Sequence, residues 1–265
     1  MSNCADKSKS VFIKSQGRPI VVTDSGAGGL WVLHKLARAF PEEKFIYYSD
    51  VKNVPYGNKP TCIIEKYCAE RVEFAKKHNA ALLVIACNTM SVVGQNVFSN
   101  GGINVIKVVA ADYFINKKTA RPAIMFCTAA TAKNGAISRL SEYNGVKICP
   151  MNDLAKEIEN NIDRLKSFKP DCLKIDYGKF KTVILGCTHY ALIRDKFKEK
   201  FAGARIIDGS ENLIEEAGRV IKKSASKNKS VERLCAKKDK AKQVLFYGSG
   251  ARKMRRVYYS LFGNE

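Results

Sequence analysis

The chain has 265 residues, of which 46% are hydrophobic, enough apolar material for one large α/β domain or two smaller ones and too much for global disorder. No run approaches the roughly eighteen uninterrupted apolar residues of a membrane span, and the opening MSNCADKSKS lacks the apolar stretch of a secretory signal, so a cytoplasmic protein with no membrane partner is expected. The net charge of +21 arises from scattered lysines; the densest stretch, KKSASKNKSVERLCAKKDKAK over 222–242, has no interleaved aromatic residues and reads as a solvated tail or loop, so nucleic acid is not an expected partner.

In chain order, PIVVTDSG, FIYYSD, ALLVIACN and NVIKVVA read as strands, and GGLWVLHKLARAF with the segments 61–79 and 89–100 between them have helical spacing. A second set follows: RPAIMFCT, VKICP, TVILGCT and ARIID as strands, with helices over about 132–143, 152–168 and 190–201. A helix after Gly209, the lysine-rich connection, a strand KQVLFYGSG and a terminal helix close the chain. Strands alternating with helices of this length predict mostly parallel sheets covered on both faces, and two such sheets fit the length better than one. The expected division is 1–111 as a first α/β domain, 112–211 as a second, and 212–265 as a return to the first. The middle segment already holds its own set of strands, so the last strand is expected to pair with the N-terminal sheet.

Parallel α/β sheets bind ligands outside the carboxyl ends of their strands. There the sequence places Asp24 and Ser25 with Gly26, Gly28 and Gly29, then Asp50 with the loop Pro55, Tyr56 and Gly57, then Cys87, Asn88 and Thr89. The second set adds Thr128 and Thr131, then Cys187, Thr188 and His189. Each group precedes a helix start that can present free backbone N–H groups, which suits a small carboxylate ligand.

Two of nine cysteines stand apart. VIACNT and VILGCTH share an aliphatic run, a small residue, a cysteine and a nearby threonine, with the two thiols 100 positions apart (187 − 87). If the sheets are structural copies facing each other, Cys87 and Cys187 reach one cleft from opposite sides. A thiol at a strand tip leading into a helix is expected to shift from its reference pKa of about 8.5 toward neutrality. Cys4, Cys62, Cys68, Cys127, Cys149, Cys172 and Cys235 read as structural, and the absence of CxxC or Cys/His ligand spacing argues against a disulfide framework or a structural zinc site. Plainer roles stay open elsewhere: Asp24 as a helix cap, His189 as a satisfied structural histidine, Tyr56 as part of a turn, Gly28 and Gly29 as backbone requirements.

Four ordered motifs, DSGAGGL at 24–30, VPYGNK at 54–59, ACNTMS at 86–91 and LGCTHYAL at 185–192, resemble those of the glutamate racemases of the cofactor-independent aspartate/glutamate racemase superfamily. The resemblance spans most of the chain. It implies two pseudo-symmetric three-layer α/β domains with the active site in the cleft between them, no cofactor, no metal, a homodimer, and a cytoplasmic isomerase that supplies D-glutamate for peptidoglycan. It implies Cys87 and Cys187 as catalytic thiols, Cys87 deprotonating D-glutamate and Cys187 L-glutamate, with Asp24 and His189 assisting proton transfer. Asp24, Ser25, Pro55, Tyr56, Gly57, Asn88, Thr89, Thr128, Thr131, Thr188 and His189 would bind or orient glutamate, and Glu157 falls near the position of a family glutamate beside the site.

The chemistry agrees with that implication. Inverting an α-carbon requires a base on one face and an acid on the other, and two opposed thiols supply both. With no electron sink implied by any motif, preorganised donors must hold the intermediate's charge, each worth roughly 10²–10³ in rate. Two alternatives remain at this level: a racemase of aspartate or another small acid, and a basic nucleic-acid-binding moonlighting protein.

Overall fold

The computed structural model describes residues 17–108, 120–135, 137, 145–151, 153–225 and 244–263. The N-terminal MSNCADKSKS, the expected boundary at Ala111, most of the helix expected over 132–143 and the lysine-rich connection beyond residue 225 lie outside the described residues.

Among the described residues, nine strands run in chain order as β1 Ile20–Asp24, β2 Phe45–Asp50, β3 Leu82–Ile85, β4 Val105–Lys107, β5 Ala123–Cys127, β6 Val146–Pro150, β7 Thr182–Gly186, β8 Arg205–Ile207 and β9 Val244–Ser249. They form two sheets, one ordered β4-β3-β1-β2-β9 and the other β6-β5-β7-β8. Every pairing among the described strands is parallel. Read from its other edge, the second sheet runs β8-β7-β5-β6 and matches the first strand for strand, with β9 as the addition. The terminal strand pairs with β2 from Phe45↔Val244 to Asp50↔Ser249, in the N-terminal sheet.

The central strands are the most apolar runs in the sequence. All residues of β1, β3, β5 and β7 are buried, as strands covered on both faces must be. Alternation along β1 sends neighbouring side chains to opposite faces. Val22 joins a core that also holds Leu30, Tyr47, Phe126, Leu185 and Phe197, so it runs continuously across both sheets. Val21 joins a second core with Leu83, Ile85, Tyr56 and Cys87. Helix Leu30–Ala39 buries Leu30, Val32, Leu33 and Leu36 along one stripe. The terminal helix Ala251–Phe262 buries Met254, Val257 and Tyr258, and its Phe262 ring stacks on His34 at 4.3 Å.

Three expected helices are broken. The segment 89–100 forms Asn88–Val93 and Gln95–Ser99, split at Gly94. The segment 152–168 contributes Leu154–Asn160 and then a 3₁₀ turn at Ile162–Arg164, with Asn161 Nδ2 donating to the Glu157 carbonyl at the break. The segment 190–201 forms Thr188–Leu192 and Arg194–Lys200 around Ile193, whose N–H bonds to the Tyr190 carbonyl three residues back. Apolar periodicity continues across each break, so spacing alone reads straight through them. Among the described residues, no helix is long and apolar enough to cross a membrane.

Candidate active site

Each sheet reverses its winding direction once. In the first sheet β2 lies on one side of β1 and β3 on the other; in the second β6 lies on one side of β5 and β7 on the other. Crevices open at the carboxyl ends of strands at such points. Asp24 ends β1 and Cys87 follows β3 by two residues; Thr128 follows β5 and Cys187 follows β7. The two cysteines therefore occupy equivalent positions in matching sheets.

The glycine loop after β1 reaches across to the second sheet. Gly26 N–H donates to Asp24 Oδ1 at 2.8 Å, and Thr188 Oγ1 donates to Asp24 Oδ2 at 2.9 Å. Ala27 N–H donates to Glu159 Oε2 at 2.8 Å, and the Tyr47 hydroxyl donates to the Gly26 carbonyl at 2.6 Å. Gly28 makes the approach possible: a β-carbon there would lie 2.6 Å from both the backbone N of His189 and Thr188 Oγ1. Gly57 does the same on the other side, where a β-carbon would lie 2.5 Å from Thr128 Cβ.

Cys187 and Cys87 stand in different surroundings. Cys187 Sγ lies 3.9 Å from His189 Nδ1, and His189 Nε2 lies 2.8 Å from Glu159 Oε2. Cys87 Sγ lies 3.8 Å from the Ser25 hydroxyl. Burial pushes the Cys87 thiol well above its ordinary range, and the charges of Asp24 and Cys187 add to that rise. This corrects the expectation of a near-neutral thiol at that strand tip: the site is sealed, and desolvation outweighs whatever the following helix start contributes.

The ionisable groups around the thiols are pushed apart. Asp24 is raised, chiefly by burial, against the opposing pull of His189 and the bonds from Gly26 and Thr188. Glu159 is lowered: burial opposes ionisation, but the His189 bond and charge and the Ala27 N–H outweigh it. His189 is raised well above its ordinary value, because its bonds to Cys187 and Glu159 overcome the cost of burying its charge. Environments that separate two carboxyls in this way give them separate roles.

The threonines form a chain. Thr89 Oγ1 and Thr128 Oγ1 lie 3.0 Å apart, and Thr128 Oγ1 donates to Thr131 Oγ1 at 2.9 Å while accepting from Thr131 N–H at 3.3 Å. Asn88 is buried beside Cys87 at the start of its helix. Pro55, Tyr56 and Gly57 sit in the loop after β2, where Tyr56–Asn58 is a 3₁₀ turn.

Glu157 lies elsewhere. It is half-buried on the flank of helix Leu154–Asn160 that faces Cys172, whose thiol is pushed up to about 11 by burial and then by the Glu157 charge. Glu159, two residues on, holds the position beside His189. Glu159, Tyr47 and the buried Arg71 described below are site neighbours that the motif reading did not single out. Among the described residues, no group of three or more histidine, cysteine or acidic side chains is arranged to hold a metal ion.

No family model matches the chain. It is 33% identical over 267 residues to a glutamate racemase of Chlorobaculum tepidum, covering 95% of this chain and 94% of that protein. Its fold is similar to a glutamate racemase of Campylobacter jejuni, with a TM-score of 0.72 and 25% identity over 92% of this chain and 98% of that one. A glutamate racemase of Francisella tularensis solved with D-glutamate shares the fold at a TM-score of 0.74 and 24% identity, over 94% of this chain and 95% of that one.

Proposed function

The chain belongs to the glutamate racemase family, and we propose that Cys87 and Cys187 carry the α-proton of glutamate between the two faces of its α-carbon. The observation that supports this most directly is their placement at equivalent strand ends of two matching sheets, each at a winding reversal.

From L-glutamate, Cys187 takes the α-proton and the Cys87 thiol returns one to the opposite face; from D-glutamate the roles reverse. Burial favours the protonated Cys87 thiol, the form the donor needs when L-glutamate is the substrate; with D-glutamate that proton passes first to Asp24. His189, anchored by ionised Glu159, faces Cys187 and exchanges a proton with it. Asp24 serves the same purpose on the Cys87 side, where its raised pKa lets it hold a proton. The carbanionic intermediate spreads its charge onto the substrate carboxylate. Ser25, Asn88, Thr89, Thr128, Thr131 and Thr188, with the N–H groups of the helix starts, orient glutamate and stabilise that charge, while the Pro55–Gly57 loop binds glutamate alike in ground and transition states. Glu159 Oε1 is buried without a hydrogen-bond partner, and it suits the substrate ammonium.

We also propose the division of the chain into 1–111, 112–211 and 212–265. The pairing of β9 with β2 supports the return of the last segment to the first unit.

The test is a circular-dichroism assay of the purified protein with L-glutamate, D-glutamate and L-aspartate in turn, with no cofactor added. Loss of optical activity with both glutamates is expected, and activity on aspartate alone would overturn the substrate assignment.

A further inference from the structure

We infer that Arg71 is a positioning residue for racemisation, acting through the Tyr56 hydroxyl to fix the loop that carries Tyr56 and Gly57 into the site; this rests on the reading of the site given above. Arg71 lies within helix Thr61–Lys77 and its side chain is only 1% exposed. The guanidinium carbon sits 4.3 Å over the Tyr48 ring, Nη2 donates to the Tyr56 hydroxyl at 2.7 Å, and the same nitrogen is 3.5 Å from Asp50 Oδ2. The Tyr56 hydroxyl in turn donates to Asp50 Oδ2 at 2.8 Å. It is therefore held from both sides, as acceptor from the cation and donor to the carboxylate.

Asp50 is itself anchored. Asn53 Nδ2 donates to both its oxygens, at 3.1 and 2.9 Å, and Ser249 Oγ on β9 donates to Oδ1 at 3.0 Å. These bonds and the Arg71 charge hold the carboxyl below its ordinary range, although its partial burial opposes ionisation. The Tyr56 ring stacks on Tyr67 at 4.8 Å and lies in the same apolar cluster as Cys87. One residue on, Gly57 is pressed against Thr128, the centre of the threonine chain. A shift of Tyr56 thus displaces the contacts of both sheets with the substrate.

Stability alone does not call for this arginine. A buried ion pair is often matched or bettered by an apolar residue of the same volume. Among the described residues the Arg71 Nε finds no partner, and Glu70, whose carboxylate lies 3.5 Å from Nη1, is half-exposed. An apolar side chain would complete the stripe formed by Ile64, Cys68, Val72 and Ala75 without those costs. What it would not supply is the donor that fixes the Tyr56 hydroxyl.

The experiment measures steady-state kinetics with L- and D-glutamate for Arg71→Met, Tyr56→Phe and the double variant. Each single change is expected to raise KM for both enantiomers by about tenfold or more, the usual scale for a charge-assisted hydrogen bond, with kcat within about threefold of wild type, because the loop binds ground and transition states alike. The double variant should be no worse than the poorer single one, since both changes break one link. Tyr56→Phe keeps the ring and decides the matter if Arg71→Met does not fold. An unchanged KM in folded Tyr56→Phe, or effects that multiply in the double variant, would overturn the inference. A wild-type protein inactive on glutamate would instead strike the functional reading on which it rests.

Discussion

His189 Nε2 lies 2.8 Å from Glu159 Oε2, with the two side chains 2% and 5% exposed, so the chain keeps a nearly sealed histidine–carboxylate pair directly behind a cysteine. The partners come from helices Thr188–Leu192 and Leu154–Asn160, and the same Glu159 oxygen also accepts from Ala27 N–H, which ties both to the glycine loop of the first sheet.

That pair should be visible in the pH dependence of stability. Glu159 is lowered from 4.5 in the folded protein, so its contribution is present above pH 4.5 and is lost as pH falls through its folded value. His189 is raised from 6.5, so its contribution is complete below pH 6.5 and is lost as pH rises through its higher folded value. Glu159→Gln should cost about 3 kcal/mol near pH 6, because it leaves a buried imidazolium without its counter-charge. The deficit should shrink toward both acidic and strongly alkaline pH. Thermal melts of both proteins from pH 3.5 to 9 check this; a constant deficit across that range would mean that the pair is not charged.

Cys87→Ala and Cys187→Ala should each abolish racemisation in both directions, since inversion needs both faces served. Serine at either position should restore almost nothing, because a hydroxyl is a far weaker acid and is a poor base without an activating partner. Both thiols are buried at strand ends, so far-UV circular dichroism should confirm that the variants remain folded. Near-wild-type turnover in either alanine variant would refute the two-thiol mechanism.

Gly28→Ala tests the contact between the sheets. Its β-carbon would meet the His189 backbone N and Thr188 Oγ1 at 2.6 Å and His189 Nδ1 at 2.8 Å, and the backbone atom cannot move aside without shifting the Cys187 turn. Turnover should fall by about a hundredfold, the scale of a misplacement near 1 Å, with a stability loss of about 1–3 kcal/mol. Gly135→Ala, whose β-carbon would meet nothing within 4 Å, should change neither.

The strand ends at the site were legible because the apolar runs of β1, β3, β5 and β7 each stop at a small polar or nucleophilic residue before a helix. Glu159 was harder to see. In LAKEIEN two glutamates stand two apart, and only the packing of the helix separates them: Glu159 follows Ala155 by four residues and precedes Ile162 by three, all buried, while Glu157 falls off that stripe. Arg71 carried a similar signal, a cation on the stripe Ile64, Cys68, Val72 and Ala75. The state of the Cys87 thiol was not legible at all. It depends on how completely the second sheet closes over the first, which no local pattern records.

The two-thiol arrangement makes a directional isotope prediction. Each thiol carries one proton, and between turnovers that proton exchanges with solvent. When L-glutamate is added to the enzyme in D₂O, Cys187 removes protium from one face while deuterated Cys87 delivers deuterium to the other. The first D-glutamate formed should therefore carry deuterium at the α-carbon, while L-glutamate recovered at the same early time remains protiated. Starting from D-glutamate should give the mirror result. A single base serving both faces would instead return some deuterium to the starting enantiomer, and substrate and product would gain label together. Proton NMR of the α-position, with the enantiomers separated at a few per cent conversion, distinguishes the two. Equal early labelling of both enantiomers would exclude separate acid and base at Cys87 and Cys187, whatever the alanine variants show.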